Sequence, residues 1–352
     1  NMGQSPNSSS YNDYGDGMPF FQGNADFGER YPITRVWCNT PTKIAQAEDI
    51  LISVRAPIGA LNYAKEECCI GRGLAAITPD RNKVSQDFIY WALKGKKAEL
   101  NDKGNGSTFK AISRKILEET MIPDINFEQQ HKCAENLEKI YGIIQNRRKE
   151  LLALDDLIKA RFVEMFGSPV SNPMSWEKRT LKEVCIKLND GSHFSPESFE
   201  TGDYKYVTAK NIKFSGFDFS NITYVPEAVH RPIFDRCNPE FEDVLYIKDG
   251  ATTGVAIVNT LDEEFTLLSS VALLKQDRSI MNGYFLATLL NNKDMYLNIR
   301  NNMGGAAITR LTIAKLNAIE IIVPPIELQN QFAAFVAEVD KSKVAVQKAL
   351  DE

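Results

Sequence analysis

The sequence lacks several features that would place it in a common class of protein. In 352 residues there is no apolar run of the ~20 residues that a membrane-spanning helix needs. Three histidines and six cysteines are present without any C-x-x-C pair, so a zinc site is not expected. The polar residues 1–12 do not resemble a signal peptide. We therefore expect a cytoplasmic protein without membrane contact, with reduced thiols and no bound metal.

Signatures of catalysis are missing as well. There is no G-x-x-x-x-G-K-[ST] loop to hold ATP phosphates. Residues 238–241 are similar to the N-P-P-[FY] motif of adenine methyltransferases, but Glu240 replaces the second proline and no methyl-donor loop accompanies them. We interpret this segment as a turn, and the Gly-Arg-Gly at residues 71–73 is not interpreted as a phosphate site either. We predict a chain with no catalytic residue and no cofactor.

Charge gives two opposing indications. The 41 Lys and Arg residues against 46 Asp and Glu residues leave a formal net charge of -5. That balance argues mildly against nucleic acid, because phosphates attract basic surfaces. Residues 94–115, however, contain seven basic and two acidic residues. This run is either a solvated charged face or a phosphate-binding surface, and its sequence alone leaves both readings open.

The chain contains an internal duplication, which is the most informative feature of the sequence. Segments of the first half recur in the same order in the second: 17–21 with 202–206, 48–52 with 242–246, 88–93 with 284–289, 112–113 with 311–312, and 121–125 with 322–326. The repeated unit is a module of roughly 120 to 150 residues followed by one long helix. Strands are predicted at 49–54, 244–247, 255–258 and 271–274, and short helices at 88–94 and 284–290.

The duplication also predicts boundaries. We place the first module at residues 1–124, its helix at 125–168, the second module at 169–325 and its helix at 326–352. Residues 176–184 open the second module and have no counterpart before Gly3. We therefore expect the first module to begin upstream of Asn1, and the last helix to continue beyond Glu352.

Both long segments carry the seven-residue apolar repeat of coiled coils. In the first segment, residues 128–166 contain no proline, and Gly167 with Pro169 supplies a stop signal. Its repeat comprises Leu137, Ile144, Leu151, Ile158 and Met165 at one position and Ile140 and Leu154 at the other. The second repeat comprises Phe332, Val339 and Val346 with Phe335 and Ala349. We predict an α+β protein whose two modules, each with a mostly antiparallel sheet, are separated by an antiparallel coiled coil.

Polar and basic loops supply the candidate binding residues. Asn, Gln and Arg can form paired hydrogen bonds to base edges, whereas Lys, Ser and Thr contact phosphates or bases. Each loop can also be read as a solvated turn, and the loops at 104–110 and 301–310 are the strongest candidates because they combine glycine with a cation. The predicted DNA-contacting residues are Gln4, Ser5, Arg35, Arg55, Lys94, Lys97, Lys103, Phe109, Lys110, Arg114, Ser192, His193, Lys210, Asn211, Lys213, Thr252, Thr253, Asn301, Asn302 and Arg310.

The order of these segments resembles the specificity subunit of type I restriction-modification systems. The resemblance covers essentially the whole chain: module, helix, module, helix, with I-P-x-I and E-Q-Q before the first helix and V-P-P-I and Q-N-Q before the second. Residues 2–6, 19–23, 49–59 and 69–75 are similar to segments of the target recognition domains of that family.

The resemblance implies a mechanism and a set of partners. Each target recognition domain would read one half of a bipartite site in double-stranded DNA, and the helices would set the spacing and dock two methyltransferase subunits. Those subunits would carry S-adenosylmethionine, and motor-nuclease restriction subunits would use ATP and Mg²⁺. Two alternatives stay open: the recognition portion of a fused restriction-methylation enzyme, and a coiled-coil scaffold whose modules bind protein.

Overall fold

The computed structural model describes residues 1–106, 110–301, 303 and 310–351. The chain divides into two compact units, residues 1–145 and 146–352, and the division falls inside one long helix. Each half of this helix contributes to the core of its own unit, Ala134 to the first and Phe162 to the second. Different parts of the helix therefore belong to the two units.

The first unit places short strands before its helices. The strands are β1 (Tyr11–Asn12), β2 (Met18–Phe21), β3 (Trp37–Cys38), β4 (Ile44–Ala45), β5 (Ile50–Ser53), β6 (Leu61–Tyr63), β7 (Cys68–Ile70) and β8 (Leu74–Ile77). The helices are α1 (Gln86–Gly95), α2 (Lys97–Asp102), α3 (Arg114–Glu118) and the first half of α4 (Phe127–Phe166). The sheets have the orders β1-β3-β2-β7-β4 and β6-β5-β8.

The second unit begins in α4 and repeats the arrangement with additions. Its strands are β9 (Lys178–Thr180), β10 (Cys185–Asp190), β11 (Tyr204–Val207), β12 (Ile212–Lys213), β13 (Gly216–Phe217), β14 (Thr223–Val225), β15 (Val244–Ile247), β16 (Ala256–Val258), β17 (Thr266–Leu267), β18 (Val271–Gln276) and β19 (Glu320–Ile322). Its helices are α5 (Leu181–Val184), α6 (Glu227–Arg236), α7 (Gly283–Asn291), α8 (Lys293–Asn301), α9 (Ile313–Asn317) and α10 (Ile326–Asp351). The sheets are β10-β18-β15-β16, β14-β11-β17, β12-β13 and β19-β9.

The prediction of one sheet per module is wrong in the number of sheets. The strands are short and polar loops interrupt them, so the described strands form two sheets in the first unit and four in the second. Antiparallel pairing dominates, as predicted, and β2–β7 and β11–β17 are parallel pairs. The two central strands were predicted correctly: every residue of β5 and β15 is buried, as expected for a short apolar run between two neighbours.

Hydrogen bonds at matching positions confirm the duplication. The N–H of Gln4 donates to the carbonyl of Ile70 at 2.9 Å, and the N–H of Ser192 donates to the carbonyl of Leu267 at 2.7 Å. In both units these carbonyls lie at the end of the strand that pairs in parallel, β7 or β17. Gln4 and Ser192 therefore hold the same place in the two modules.

One of the sequence matches is shifted by one residue. Phe21 lies opposite Ile70 in the first unit, and Val207 lies opposite Leu267 in the second. Since Ile70 and Leu267 correspond, Phe21 corresponds to Val207, whereas the sequence match had aligned it with Tyr206. Phe20 and Phe21 are both aromatic, so either of them could be matched with Tyr206, and this ambiguity hid the shift.

Helix α4 ends where the sequence predicted. Gly167 follows it with a φ of +74°, a left-handed conformation that glycine adopts without strain. Within the second unit, the rings of Phe162 and Phe332 lie 5.6 Å apart, and the Nζ of Lys343 lies 2.7 Å from Asp155. Residue numbers fall along α4 as they rise along α10, so the two helices run in opposite directions where they touch.

In the first unit, α4 packs against the module through cations and aromatic rings. The ammonium of Lys94 lies 3.7 Å from the centre of the Tyr141 ring, and Arg30 forms an ion pair with Glu138 at 2.7 Å. Burial, followed by the nearby Arg30, lowers the pKa of Lys94. The heptad residues Leu137 and Ile140 are exposed. The apolar repeat of α4 is thus covered toward its C-terminal end and open near its beginning.

Candidate nucleic-acid interface

The first unit gathers several segments around the turn at residues 71–73. The Oγ of Ser5 accepts a hydrogen bond from the N–H of Arg72 at 3.2 Å and donates to the Oε1 of Gln22 at 2.9 Å. The N–H of Gly73 donates to the carbonyl of Gln22 at 3.1 Å. Predicted contact residue Ser5 is therefore fixed beside Arg72, whose side chain is exposed.

Glycine is required directly before the loops that begin at Gln4 and Ser192. A Cβ on Gly3 would lie 2.2 Å from the carbonyl oxygen of Gly71, and one on Gly191 would lie 1.9 Å from the carbonyl oxygen of Leu267. Neither approach is possible for any other residue without displacement of the backbone. These two glycines set the path of the loops that begin at Gln4 and Ser192.

A second loop of the first unit follows β5 at residues 54–59. Arg55 forms an isolated bridge with Ala111, and the N–H of Ala56 donates to the carbonyl of Lys110 at 3.1 Å. Gly59, with a φ of +83°, packs against Lys97. Folding thus brings together the predicted residues Arg55, Lys97 and Lys110, which are far apart in the sequence and all exposed.

Other basic residues of the run from 94 to 115 are held within the unit. Lys103 and Lys96 both bond to Glu99, at 2.7 and 2.6 Å, and lower the pKa of its carboxyl group to about 2. Arg114 pairs with Glu118 at 2.7 Å. Together with Lys94, which lies among aromatic rings, these cations are partly neutralised or covered, so only part of the basic run is a candidate surface.

The equivalent loop of the second unit, residues 248–254, follows β15. Thr252 is exposed, whereas Thr253 is buried and donates from its Oγ1 to the carbonyl of Gly250 at 2.6 Å. Arg300 donates to the carbonyl of Thr253 at 2.7 Å. These bonds fix the loop on its buried side, and Thr252 faces the solvent.

Two further predicted residues are buried by bonds within their own module. The Oγ of Ser192 donates to the carbonyl of Phe194 at 2.6 Å. The amide oxygen of Asn211 accepts from the N–H of Thr208 at 3.0 Å and its amide nitrogen donates to the carbonyl of Asp218 at 3.2 Å. With Thr253, these side chains shape loops, and we treat them as positioning residues rather than as DNA contacts.

The remaining predicted residues that the structure describes are exposed. His193 lies 3.1 Å from Asp190, Lys213 lies 3.9 Å from Asp218, and Arg310 lies 3.3 Å from Asp249. Further exposed positions are Gln4, Arg35, Lys210 and Asn301. Phe109 and Asn302 lie outside the described residues, as do parts of the loops at 104–110 and 301–310.

The sequence comparison missed three residues of this surface. Arg72 stands inside the Gly-Arg-Gly segment that was not interpreted as a phosphate site, and those glycines were the signal that could have identified it. Phe214, 63% exposed, lies 5.9 Å from the Tyr296 ring at the β12–β13 turn. Arg236 ends α6 beside Asp190. No sequence pattern distinguished the last two.

Metal ligands and membrane spans were searched among the described residues. No group of three or more His, Cys, Asp or Glu side chains there could hold a metal ion. None of the described helices is both long and apolar enough to cross a membrane. All six cysteines lie in the described part of the chain and are free thiols, and burial raises the pKa of Cys68, Cys185 and Cys237 to about 12.

Comparison with known proteins finds relatives of this chain. The chain is 47% identical over 149 residues to the MjaX specificity subunit of a type I restriction enzyme from Methanocaldococcus jannaschii, a match covering 42% of this chain and 35% of that protein. The MjaIX specificity subunit of the same organism is 25% identical over 346 residues, covering 92% of this chain and 78% of that protein. The chain thus spans about a third of the first relative and more of the second.

A solved structure shares the fold across the whole chain. The S subunit of a type I restriction-modification system from M. genitalium superimposes with a TM-score of 0.58 at 18% identity, covering 100% of this chain and 89% of that one. The pattern of the type I restriction modification DNA specificity domain matches residues 1–154 and 173–352. The chain belongs to the type I restriction modification DNA specificity domain family.

Proposed function

We propose that this chain is the DNA-reading, non-catalytic specificity subunit of a type I restriction-modification complex, and that each module reads one half of a bipartite duplex site. The observation that carries the proposal is the repeated loop after the central strand, at 54–59 and 248–254. In both units this loop lies near a place where two backbone segments approach so closely that only glycine fits, at Gly3 or Gly191. Exposed polar or basic side chains surround it. Two similar surfaces fit two half-sites better than one continuous site.

The two loops favour different contacts. In the first unit Arg55, Lys97 and Lys110 offer charge for phosphates, and the guanidinium of Arg55 can also bond to guanine. In the second unit Thr252 and Lys210 offer a hydroxyl and an ammonium. The net charge of -5 is compatible with this assignment, because partner subunits would share the phosphate contacts.

The helices would set the distance between the two half-sites. At ~1.5 Å per residue, α4 is about 60 Å long. Half-sites one helical turn apart need a separation of about 34 Å, so a rod of this length is sufficient. The antiparallel contact of α10 with α4 supports a coiled coil as that rod.

The role of the helices in assembly rests on the resemblance to type I specificity subunits. The exposed Leu137 and Ile140 continue the apolar repeat that α10 contacts farther along α4. We propose that two methyltransferase subunits dock on these helices, that S-adenosylmethionine is bound by those subunits, and that ATP and Mg²⁺ are used by a separate restriction subunit.

Mapping of methylated adenines in cells with and without this gene tests the proposal. We expect deletion to abolish methylation at one split motif, with two short specific parts and a fixed gap. Exchange of residues 180–319 for the equivalent segment of another specificity subunit should change only one part. Unchanged methylation after deletion, or loss at one short continuous motif, would contradict the proposal.

Co-purification distinguishes the two alternatives. A specificity subunit should purify from the source cells with a separate methyltransferase, whereas the recognition portion of a fused enzyme should be found joined to it in one polypeptide. A scaffold whose modules bind only protein should retain no duplex DNA at any salt concentration.

A further inference from the structure

A buried lysine joins separate loops of the second unit. Lys248 is 1% exposed, and its Nζ lies 3.3 Å from Asp190 and 2.9 Å from Asp249. Asp190 is buried as well and ends β10, whereas Lys248 and Asp249 begin the loop after β15. One ammonium group therefore links the two loops that hold the candidate contacts His193 and Thr252.

The carboxylates of Asp190 and Asp249 also contact exposed side chains. The Oδ1 of Asp190 lies 3.1 Å from the Nε2 of His193 and 3.5 Å from Arg236. The Oδ1 of Asp249 lies 3.3 Å from the Nε of Arg310. The side chains of His193 and Arg310 are 60% exposed and that of Arg236 is 40% exposed. The buried ammonium group thus lies behind three solvent-facing donors from three segments of the chain, of which His193 and Arg236 contact Asp190 and Arg310 forms an ion pair with Asp249.

In the first unit, an apolar residue occupies the position of Lys248. The carbonyl of Val54 accepts from Ile112 at 2.9 Å, and the carbonyl of Lys248 accepts from Leu311 at 2.8 Å, so Val54 and Lys248 occupy the same position. Val54 is 2% exposed and lies in the apolar core of its unit. The same backbone position is therefore filled by a methyl-bearing side chain in one module and by a charged one in the other.

The partner of the lysine has an apolar counterpart too. Met2 forms a bridge with Ala75, and Asp190 pairs with Ala272 at the end of β10. Met2 packs against the core cluster that contains Val54. The Val54 and Met2 pair of the first unit thus stands where the second unit has Lys248 and Asp190.

This comparison separates stability from function. Removal of two charges from water is costly, and replacement of a buried ion pair by apolar groups is often neutral or stabilising. The first unit demonstrates that the fold accepts the apolar pair. The charged pair of the second unit therefore needs an explanation other than folding, and the three exposed donors that it holds supply one.

We propose that Lys248 and Asp190 are positioning residues that preorganise His193, Arg236 and Arg310 for the phosphates and base edges of the half-site read by the second module. This inference rests on the proposed function, since it assigns a role within the same surface. Arg236 and Arg310 have the geometry for paired bonds to guanine or phosphate. Fixing them before DNA binds reduces the ordering that binding would otherwise require.

The test transplants the first unit's apolar pair into the second. The full chain carrying Lys248→Val with Asp190→Met is compared with the unaltered chain in selections from a pool of random duplexes. We expect the double variant to fold with a similar melting temperature and to bind its selected site about tenfold or more weakly. Preference should be lost in one half-site and kept in the other.

Two further variants make the outcome decisive. Lys275→Thr with Asp243→Asn removes another buried ion pair, whose atoms lie 3.6 Å apart at the opposite end of β15, and should leave both half-sites unchanged. Lys248→Val alone leaves Asp190 without its buried cation, and should lower the melting temperature of the chain.

The outcomes separate this inference from the proposed function. If the unaltered chain selects no site, the proposed function fails. If it selects a split site and the folded double variant keeps full preference in both halves, the function stands and the positioning role is wrong.

Discussion

Gln130 and Gln329 hold the same buried position at the beginnings of α4 and α10. The Oε1 of Gln130 accepts from the backbone N–H of Ser85 at 2.8 Å, and that of Gln329 accepts from the N–H of Asn282 at 2.9 Å. Ser85 and Asn282 cap α1 and α7. In each unit one glutamine therefore ties the beginning of the long helix to the beginning of the helix packed beside the central sheet.

Replacement of Gln329 should test the strength of this connection. Its amide nitrogen also donates to the carbonyls of Pro324 and Ile280, at 2.8 and 3.0 Å. Gln329→Met keeps the length of the side chain but leaves these buried backbone groups without partners. We expect the free energy of unfolding, measured in urea, to fall by about 1–3 kcal/mol. Gln331→Met, at an exposed position of the same helix, should change it by less than about 0.5 kcal/mol.

The same glutamines show what the sequence could and could not reveal. The repeated I-P-x-I and V-P-P-I segments correctly located the two helices. The hydrogen bonds, however, place Ile125 at the position of Pro324, because their carbonyls accept from Gln130 and Gln329 respectively. Pro123 and Pro324, which the sequence match had aligned, are therefore two positions out of register. A proline can stand at several positions before a helix, whereas the buried side-chain amide of the glutamine fits only one.

The candidate surface was harder to predict than the fold. Alternation and apolar runs identified β5 and β15, because burial of a strand is visible in its own residues. The roles of Lys248 and Arg236 depend on Asp190, which is distant in sequence, so no local pattern marks them. Burial of Ser192 and Asn211 also depends on partners that no local pattern shows. Both were therefore predicted to contact DNA, although their side chains are buried within the module.

His230 should make the stability of the second unit depend on pH. Its ring is buried, stacks on Tyr204 at 3.7 Å, and lies 2.8 Å from Thr266 and 3.3 Å from Glu264. Burial lowers the pKa of His230 below its usual 6.5, and Arg231 adds to this while Glu264 opposes it. The folded state therefore binds the proton less tightly than the unfolded state does.

The sign of the effect follows from that difference. The stability contributed by neutral His230 is fully present above pH 6.5 and is lost as pH falls toward the lowered pKa. In His230→Gln, the free energy of unfolding should fall less steeply between pH 7 and pH 5 than in the unaltered chain. His131→Gln, at an exposed position of α4, is the control and should keep the slope of the parent; equal slopes in all three proteins would refute the assignment.

Lys110 should contribute to DNA affinity without contributing to specificity. It is exposed beside Arg55 and Lys97, and an ammonium group neutralises phosphate irrespective of sequence. Lys110→Gln should weaken binding of specific and random duplexes by a similar factor. The slope of log affinity against log salt should become shallower by about 0.9 if one phosphate contact is lost. Lys65→Gln, in the exposed turn between β6 and β7 at the far end of β6 from this loop, should leave the slope unchanged.

Phe332 should be the residue of α10 on which its contact with α4 most depends. Its ring is fully buried and lies 5.6 Å from the ring of Phe162 and 5.7 Å from that of Phe166. Phe332→Ala removes this contact and leaves a cavity, so we expect the free energy of unfolding to fall by about 3–5 kcal/mol. Val344→Ala, at a 69% exposed position of the same helix, should have almost no effect.

The two variants together also test how α10 is held. A loss at Phe332 as small as that at Val344 would mean that α10 does not depend on the aromatic cluster for its place in the second unit. The unfolding free energy could instead fall strongly while duplex selections still show the normal preference in the first half-site. That result would mean that α10 supports the second module and the spacing of the two half-sites, and is not needed for recognition by the first module. This is the outcome that the proposed function requires, because in that proposal only the spacing of the half-sites and the second module depend on the contact of α10 with α4.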